Sequence, residues 1–155
     1  MKKNIMQKWT KALRSGKYSQ CTEKLCEVDG ETGKESYCCL GVLTDLYLKE
    51  RKRQKKGHGI ENFYEYTGMD REYDHDYSKW EINGEDGVLP YEVAVWAGFN
   101  TATQEYKTGC FSNGKTKIDL AGLNDGPYDP TTGKQSRRRS FKQIASVIEK
   151  NYEHI

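Results

Sequence analysis

The residues best suited to covalent or metal chemistry in this chain are five cysteines and three histidines. Cys21 and Cys26, followed by the adjacent Cys38 and Cys39, could ligate zinc, with His58 or His75 as substitutes. Structural zinc sites, however, present paired ligands two to four residues apart in a knuckle. Two neighbouring cysteines diverge on a strand or at a helix start, so buried, inert thiols are the expectation. Cys110 leaves the set odd, and nothing in the sequence signals secretion, so the thiols are expected to be reduced. A Cys–His nucleophile needs a base within reach. His58 lies between glycines, His75 in an acidic run and His154 next to the last residue, so no dyad is expected. Asp70, Glu72, Asp74 and Asp76 do not follow the spacing of a calcium-binding loop and read as a solvated acidic segment. The sequence has no phosphate-binding loop, dinucleotide fingerprint or nucleophile elbow. The expectation is a chain without a catalytic motif, a cofactor or a metal.

A binding constellation remains. Arg137, Arg138 and Arg139 lie immediately before a helix start at Ser140. Free backbone N–H groups and the positive helix end favour an anion there, and guanidinium forks add bidentate donors. Asn124, Asp125 and Tyr128 open the same long loop, 126–139, and are candidates for base-edge or ribose contacts. This set points to a phosphate-bearing small molecule. The simpler alternative is a basic loop ordered only at its Ser140 cap.

The elements that must position these residues read as follows. Ile5, Trp9 and Leu13 recur at helical spacing and Gly16 stops the pattern, giving a helix over 3–15. Alternation at 25–28 and again at 36–38, around Asp29-Gly30 and Thr32-Gly33, reads as a short hairpin. Residues 39–48 form the most apolar stretch and read as a central buried helix that fades into the basic run after Lys49. Gly41 within it costs about 1 kcal/mol relative to alanine, so close packing against a neighbour is expected there. Residues 49–79 look like a charged insertion with scattered aromatics. Trp80-Glu81-Ile82 reads as a strand, Pro90 opens a short helix that Gly98 ends, and 101–117 reads as extended with a turn at Asn113-Gly114. Within that last stretch Tyr106 and Phe111 should face inward. Asp119 can cap one helical turn, and Ser140 with Gln143 matches a capping box ahead of the stripe Phe141, Ile144, Ala145 and Ile148. The expected architecture is α+β: three or four helices packed on a small antiparallel sheet, in a single domain over 1–155.

At 155 residues the chain suits one domain. The net charge of +2 hides segregation: residues 49–56 carry six cations and one acid, 61–86 carry nine acids, and 134–142 are basic again. A protein made only to coat nucleic acid would be basic throughout. No stretch approaches the roughly 18–20 apolar residues needed to span a bilayer, and the N-terminus has no apolar signal region, so no membrane partner is expected.

Taken together, several blocks resemble a widespread family of small phage and prophage proteins. These are residues 9–18 (WTKALRSGKY), 37–46 (YCCLGVLTDL), Leu89-Pro90 with Trp96-Ala97-Gly98, 120–125 (LAGLND), and Ser140-Phe141 with Ile144-Ala145. They span nearly the whole chain. The sequence departs from that pattern in the insertion at 49–79 and in the loop between Asp125 and Ser140. The resemblance implies an accessory protein in the host bacterial cytoplasm that acts against host defence. In its sharpest form such a protein is a homo-oligomer that sequesters a nucleotide signal, a cyclic oligonucleotide or an ADP-ribose derivative, without catalysis. The alternatives are an inhibitor that docks on a host protein through the segregated charges, and a nucleic-acid-binding accessory domain using the 49–56 run.

Overall fold

The computed structural model describes residues 1–54, 60, 63–65, 77–82, 84–129 and 131–155. Helix α1 (Lys3–Arg14) buries Ile5, Met6, Trp9 and Leu13. It ends where Gly16 takes a φ of 72°, the left-handed conformation that glycine adopts without steric cost. Strands β1 (Ser19–Gln20), β2 (Cys26–Val28) and β3 (Glu35–Tyr37) follow. The expected hairpin is the antiparallel β2–β3 pair, with Cys26 opposite Tyr37 and Val28 opposite Glu35. A parallel β1–β3 pair completes one side.

Helix α2 (Cys39–Arg53) runs through the centre of the molecule. From Cys39 to Asp45, and again at Tyr47 and Leu48, its residues are buried, which is why its apolar positions show no one-sided pattern. It continues through the basic run to Arg53 instead of fading at Lys49. Lys, Arg and Glu are good helix formers, and the cations Arg51, Lys52 and Arg53 suit the negative end of the helix dipole. Gly41 meets the close approach expected of it: a Cβ there would lie 1.6 Å from the Leu25 carbonyl oxygen.

Strands β4 (Phe63–Glu65), β5 (Tyr77–Ser78) and β6 (Trp80–Ile82) are the described parts of the charged insertion and its exit. β5 extends the first sheet to the order β1-β3-β2-β5, and β4 pairs with β6. His58, His75 and the acids Asp70, Glu72, Asp74 and Asp76 lie outside the described residues. Helix α3 (Tyr91–Ala97) ends at Gly98, which is left-handed with φ 77°. A 3₁₀ turn over Gln104–Thr108, capped by Thr103, occupies a stretch expected to be extended, and it buries Tyr106 as anticipated.

Strands β7 (Cys110–Ser112) and β8 (Lys117–Asp119) then form the hairpin turned at Asn113-Gly114. Helix α4 (Leu120–Asp125) is capped by Asp119, whose side chain accepts from the Gly122 N–H at 3.1 Å. The expected long loop at 126–139 contains a small hairpin of β9 (Tyr128–Asp129) and β10 (Lys134–Gln135). Helix α5 (Phe141–Asn151) carries the complete capping box and buries Phe141, Ile144, Ala145 and Ile148.

The chain is therefore an α+β domain, with five helices among the described residues. Among the described residues its short strands form one four-stranded sheet and three two-stranded ones. One hydrophobic cluster reaches from Ile5 to Ile155 and joins all five helices. Among the described residues no helix is long and apolar enough to cross a membrane.

The cysteines are free thiols, and Cys21, Cys26, Cys38 and Cys39 are buried. Burial pushes the Cys21 thiol up to about 11 and those of Cys26 and Cys38 to about 12. A raised pKa favours the protonated thiol in the folded state. The stability gained from it is complete below about pH 9, the ordinary thiol value, and is lost as pH rises through 11–12. At pH 8 a maleimide should therefore modify the half-buried Cys110 in the native protein, slowed by its own raised thiol pKa, and the other four only in denaturant. Fast labelling of all five in the native protein would contradict this.

Candidate functional site

The three arginines sit on a segment held at both ends. On one side Gln135 Nε2 donates to the Asp125 carbonyl at 2.9 Å, and the Ser136 N–H donates to the Pro127 carbonyl at 2.8 Å. Gly126 is obligatory there: its φ is 90°, and a Cβ would lie 2.2 Å from the Ser136 carbonyl oxygen. On the other side the Arg139 N–H donates to the Leu123 carbonyl at 2.8 Å. The Arg139 carbonyl accepts from Gln20 Nε2 at 2.9 Å. Ser140 then starts α5, its N–H donating to Gln143 Oε1 at 2.9 Å. Arg137, Arg138 and Arg139 are exposed on this fixed backbone.

Asn124 does not join them as a ligand contact. Asn124 is fully buried, and all four of its hydrogen-bonding positions are used inside the protein. Its Oδ1 accepts from the Cys39 N–H at 3.1 Å and from Gln20 Nε2 at 3.0 Å. Its Nδ2 donates to the Cys21 carbonyl at 2.9 Å and to Asp125 Oδ1 at 2.8 Å. Asp125 Oδ1 also accepts from the Glu23 N–H at 3.2 Å. The expected base-edge contact from Asn124 is therefore corrected: this amide closes the N-terminus of α2, and Asp125 steadies it. Tyr128 contributes backbone to β9; its side chain lies outside the described residues.

Of the three arginines, Arg139 joins the outer face of α5. Arg139, Lys142, Gln143, Ser146, Val147 and Lys150 line an open cleft of about 400 Å³. A second cleft of about 650 Å³ adjoins it, between β8, α4 and α5. It is lined by Lys117, Ile118, Asp119, Leu123, Val147 and Arg139, among others, so Arg139 and Val147 belong to both. Elsewhere some exposed cations are paired, Arg14 with Glu149, Lys8 with Glu50 at 2.8 Å and Lys117 with Glu105 at 2.8 Å, while others such as Lys3, Lys11 and Lys17 have no carboxylate partner among the described residues. No carboxylate among the described side chains pairs with Arg137, Arg138, Arg139, Lys142 or Lys150.

Sequence reasoning missed Lys142, Ser146 and Lys150, although their i, i+4, i+8 spacing opposite the buried stripe marks one exposed helix face. It also missed the β8 wall, which no local signal places beside α5. The arrangement can hold an anion on an exposed cationic shelf. Among the described residues no group of three or more His, Cys, Asp or Glu is placed to hold a metal ion. A separate cleft of about 380 Å³ lies between α2 and α3, where Tyr91 and Val95 are exposed.

Comparison with known proteins adds the family. A family profile matches residues 1–152. The chain belongs to the family described as Domain of unknown function (DUF8296). No curated protein and no solved structure matches it. The DUF8296 match runs from α1 past the end of α5, so both clefts and the arginine segment lie inside the family region.

Proposed function

We propose that this DUF8296 chain is a non-catalytic binding protein that captures a phosphate-bearing small molecule on the outer face of α5. The observation that carries the reading is the convergence of Arg139, Lys142 and Lys150 on one cleft, with Arg137 and Arg138 exposed on the segment that leads into it and no carboxylate among the described side chains paired with any of the five. A phosphate offers three oxygens to such a set, and guanidinium and ammonium bonds to it are the stronger, charge-assisted kind. The first N–H groups of α5 and its dipole point the same way.

Two facts favour a small ligand over a polynucleotide. The cations from Lys142 to Lys150 cover only about 12 Å of helix, at roughly 1.5 Å per residue. The chain as a whole carries a net charge of only +2. In its most specific form the proposal is the one that the phage-family resemblance implies. The chain is an accessory protein of the host bacterial cytoplasm, a homo-oligomer, that holds a defence nucleotide such as a cyclic oligonucleotide or an ADP-ribose derivative out of circulation. Sequestration requires tight binding without turnover, which suits a cationic cleft with no nucleophile set beside it.

The test is calorimetric titration with a panel of cyclic di- and trinucleotides and ADP-ribose isomers, followed by heat release of intact ligand. At least one member should bind, and Arg139→Glu with Lys142→Glu should weaken it about 100-fold or more. Two charge-assisted contacts at about 1.5–3 kcal/mol each are lost. Both residues are exposed, so the melting temperature should hold. A panel without a binder, or a double variant that binds as tightly, would refute the proposal.

A further inference from the structure

We infer that the α5 face is a two-compartment site, with the phosphate in the cleft of Arg139, Lys142 and Lys150, the nucleoside in the adjoining slot, and Asp119 as the group that reads it. This rests on the phosphate-binding reading above and goes further by assigning each half of a nucleotide to its own walls.

The two clefts share Arg139 and Val147, so one ligand can lie across both. Their linings differ in kind. The smaller is cationic and polar. The larger has a floor of Ile118, Leu123 and Val147, half-buried side chains packed against the main core, so a flat ring laid on it is withdrawn from water. At about 650 Å³ the slot has the volume of a small-molecule site.

Asp119 sets the direction of the ligand. Its Oδ1 accepts from the Gly122 N–H at 3.1 Å and caps α4. Its other oxygen has no hydrogen-bond partner among the described residues, and the residue is exposed at the slot. A carboxylate there repels a phosphate and accepts hydrogen bonds from hydroxyl or amino groups. A nucleotide therefore enters one way round, its phosphate toward Arg139 and its ribose diol or exocyclic amine toward Asp119. Lys117, two residues back on the same strand, feels this carboxylate but makes its ion pair with Glu105.

Calorimetry with inorganic phosphate and adenosine 5′-monophosphate separates the two readings. The nucleotide should bind the wild-type chain at least tenfold more tightly than phosphate does. Ile118→Trp fills the slot without touching the cationic cleft, and should bring the nucleotide down to the affinity of phosphate while leaving phosphate binding unchanged. Asp119→Asn keeps the cap oxygen, so α4 is retained. It should weaken the nucleotide several-fold without weakening phosphate, and it decides the matter if the tryptophan variant does not fold. Nucleotide binding no tighter than phosphate, or unmoved by either variant, overturns the two-compartment inference and leaves anion capture standing. If neither probe binds, the phosphate-binding reading itself falls.

Discussion

Replacing Gly41 with alanine should leave no folded protein in a urea titration. The added Cβ would sit 1.6 Å from the Leu25 carbonyl oxygen, 2.6 Å from its carbon and 3.0 Å from its Cα, so the obstacle is backbone and cannot rotate aside. Neither partner can retreat. Leu25 is held by its N–H to the Asp86 carbonyl at 2.7 Å. α2 is packed against Trp9 on one side, whose indole N–H donates to the Cys39 carbonyl at 2.9 Å, and against α4 on another. Displacing a buried helix by more than an ångström forfeits contacts along its whole length. The cost should exceed about 4–5 kcal/mol, which is of the order of the total stability of a domain. Gly114→Ala is the control: no atom lies within 4 Å of its Cβ, and only the strain of φ 83° remains, about 1 kcal/mol. A Gly41→Ala protein with a native-like midpoint would contradict the close approach.

The second large effect falls on Asn124. Asn124→Ala removes the acceptor of the Cys39 N–H and the donor to the Cys21 carbonyl, both buried. Each orphaned group costs about 1–3 kcal/mol, and the cavity adds to it, so a loss of about 3–5 kcal/mol is expected. Asn124→Asp should do no better, because it surrenders two donors and places a second carboxylate against Asp125. Urea denaturation measures both variants. A change below about 1 kcal/mol would mean that Asn124 is not the lock described. Ligand affinity discriminates further: a variant that still folds should keep its anion binding, since Asn124 touches the scaffold and not the cleft.

These two residues also mark where the sequence stops being legible. Asp119 as a helix cap, Ser140 with Gln143 as a capping box, and Asn113-Gly114 as a hairpin turn are local chemistry, with donor and acceptor within three residues, and each was readable before any fold was known. The stripe Phe141, Ile144, Ala145 and Ile148 is a period and was equally plain. Gly41 was legible as a site of close packing, but not the carbonyl it meets. Asn124 was misread because its partners, Cys39 and Cys21, stand 85 and 103 residues away, and nothing in a local window distinguishes a polar residue that faces inward at a helix end from one that faces a ligand. The arginine segment was found by composition. The slot beside it was not, because β8 reaches α5 only through the tertiary arrangement of two hairpins.

The Asn124 contact has a consequence for how the chain is made. Residues 39–48, the most apolar segment, leave the ribosome well before the amide that closes their helix has been synthesised. Through most of translation α2 has its Cys38 cap but neither the Asn124 amide nor the α4 and α5 surfaces that cover it, so burial of the centre waits for the last third of the chain. The order of synthesis thus leaves the stickiest helix exposed first and covered last.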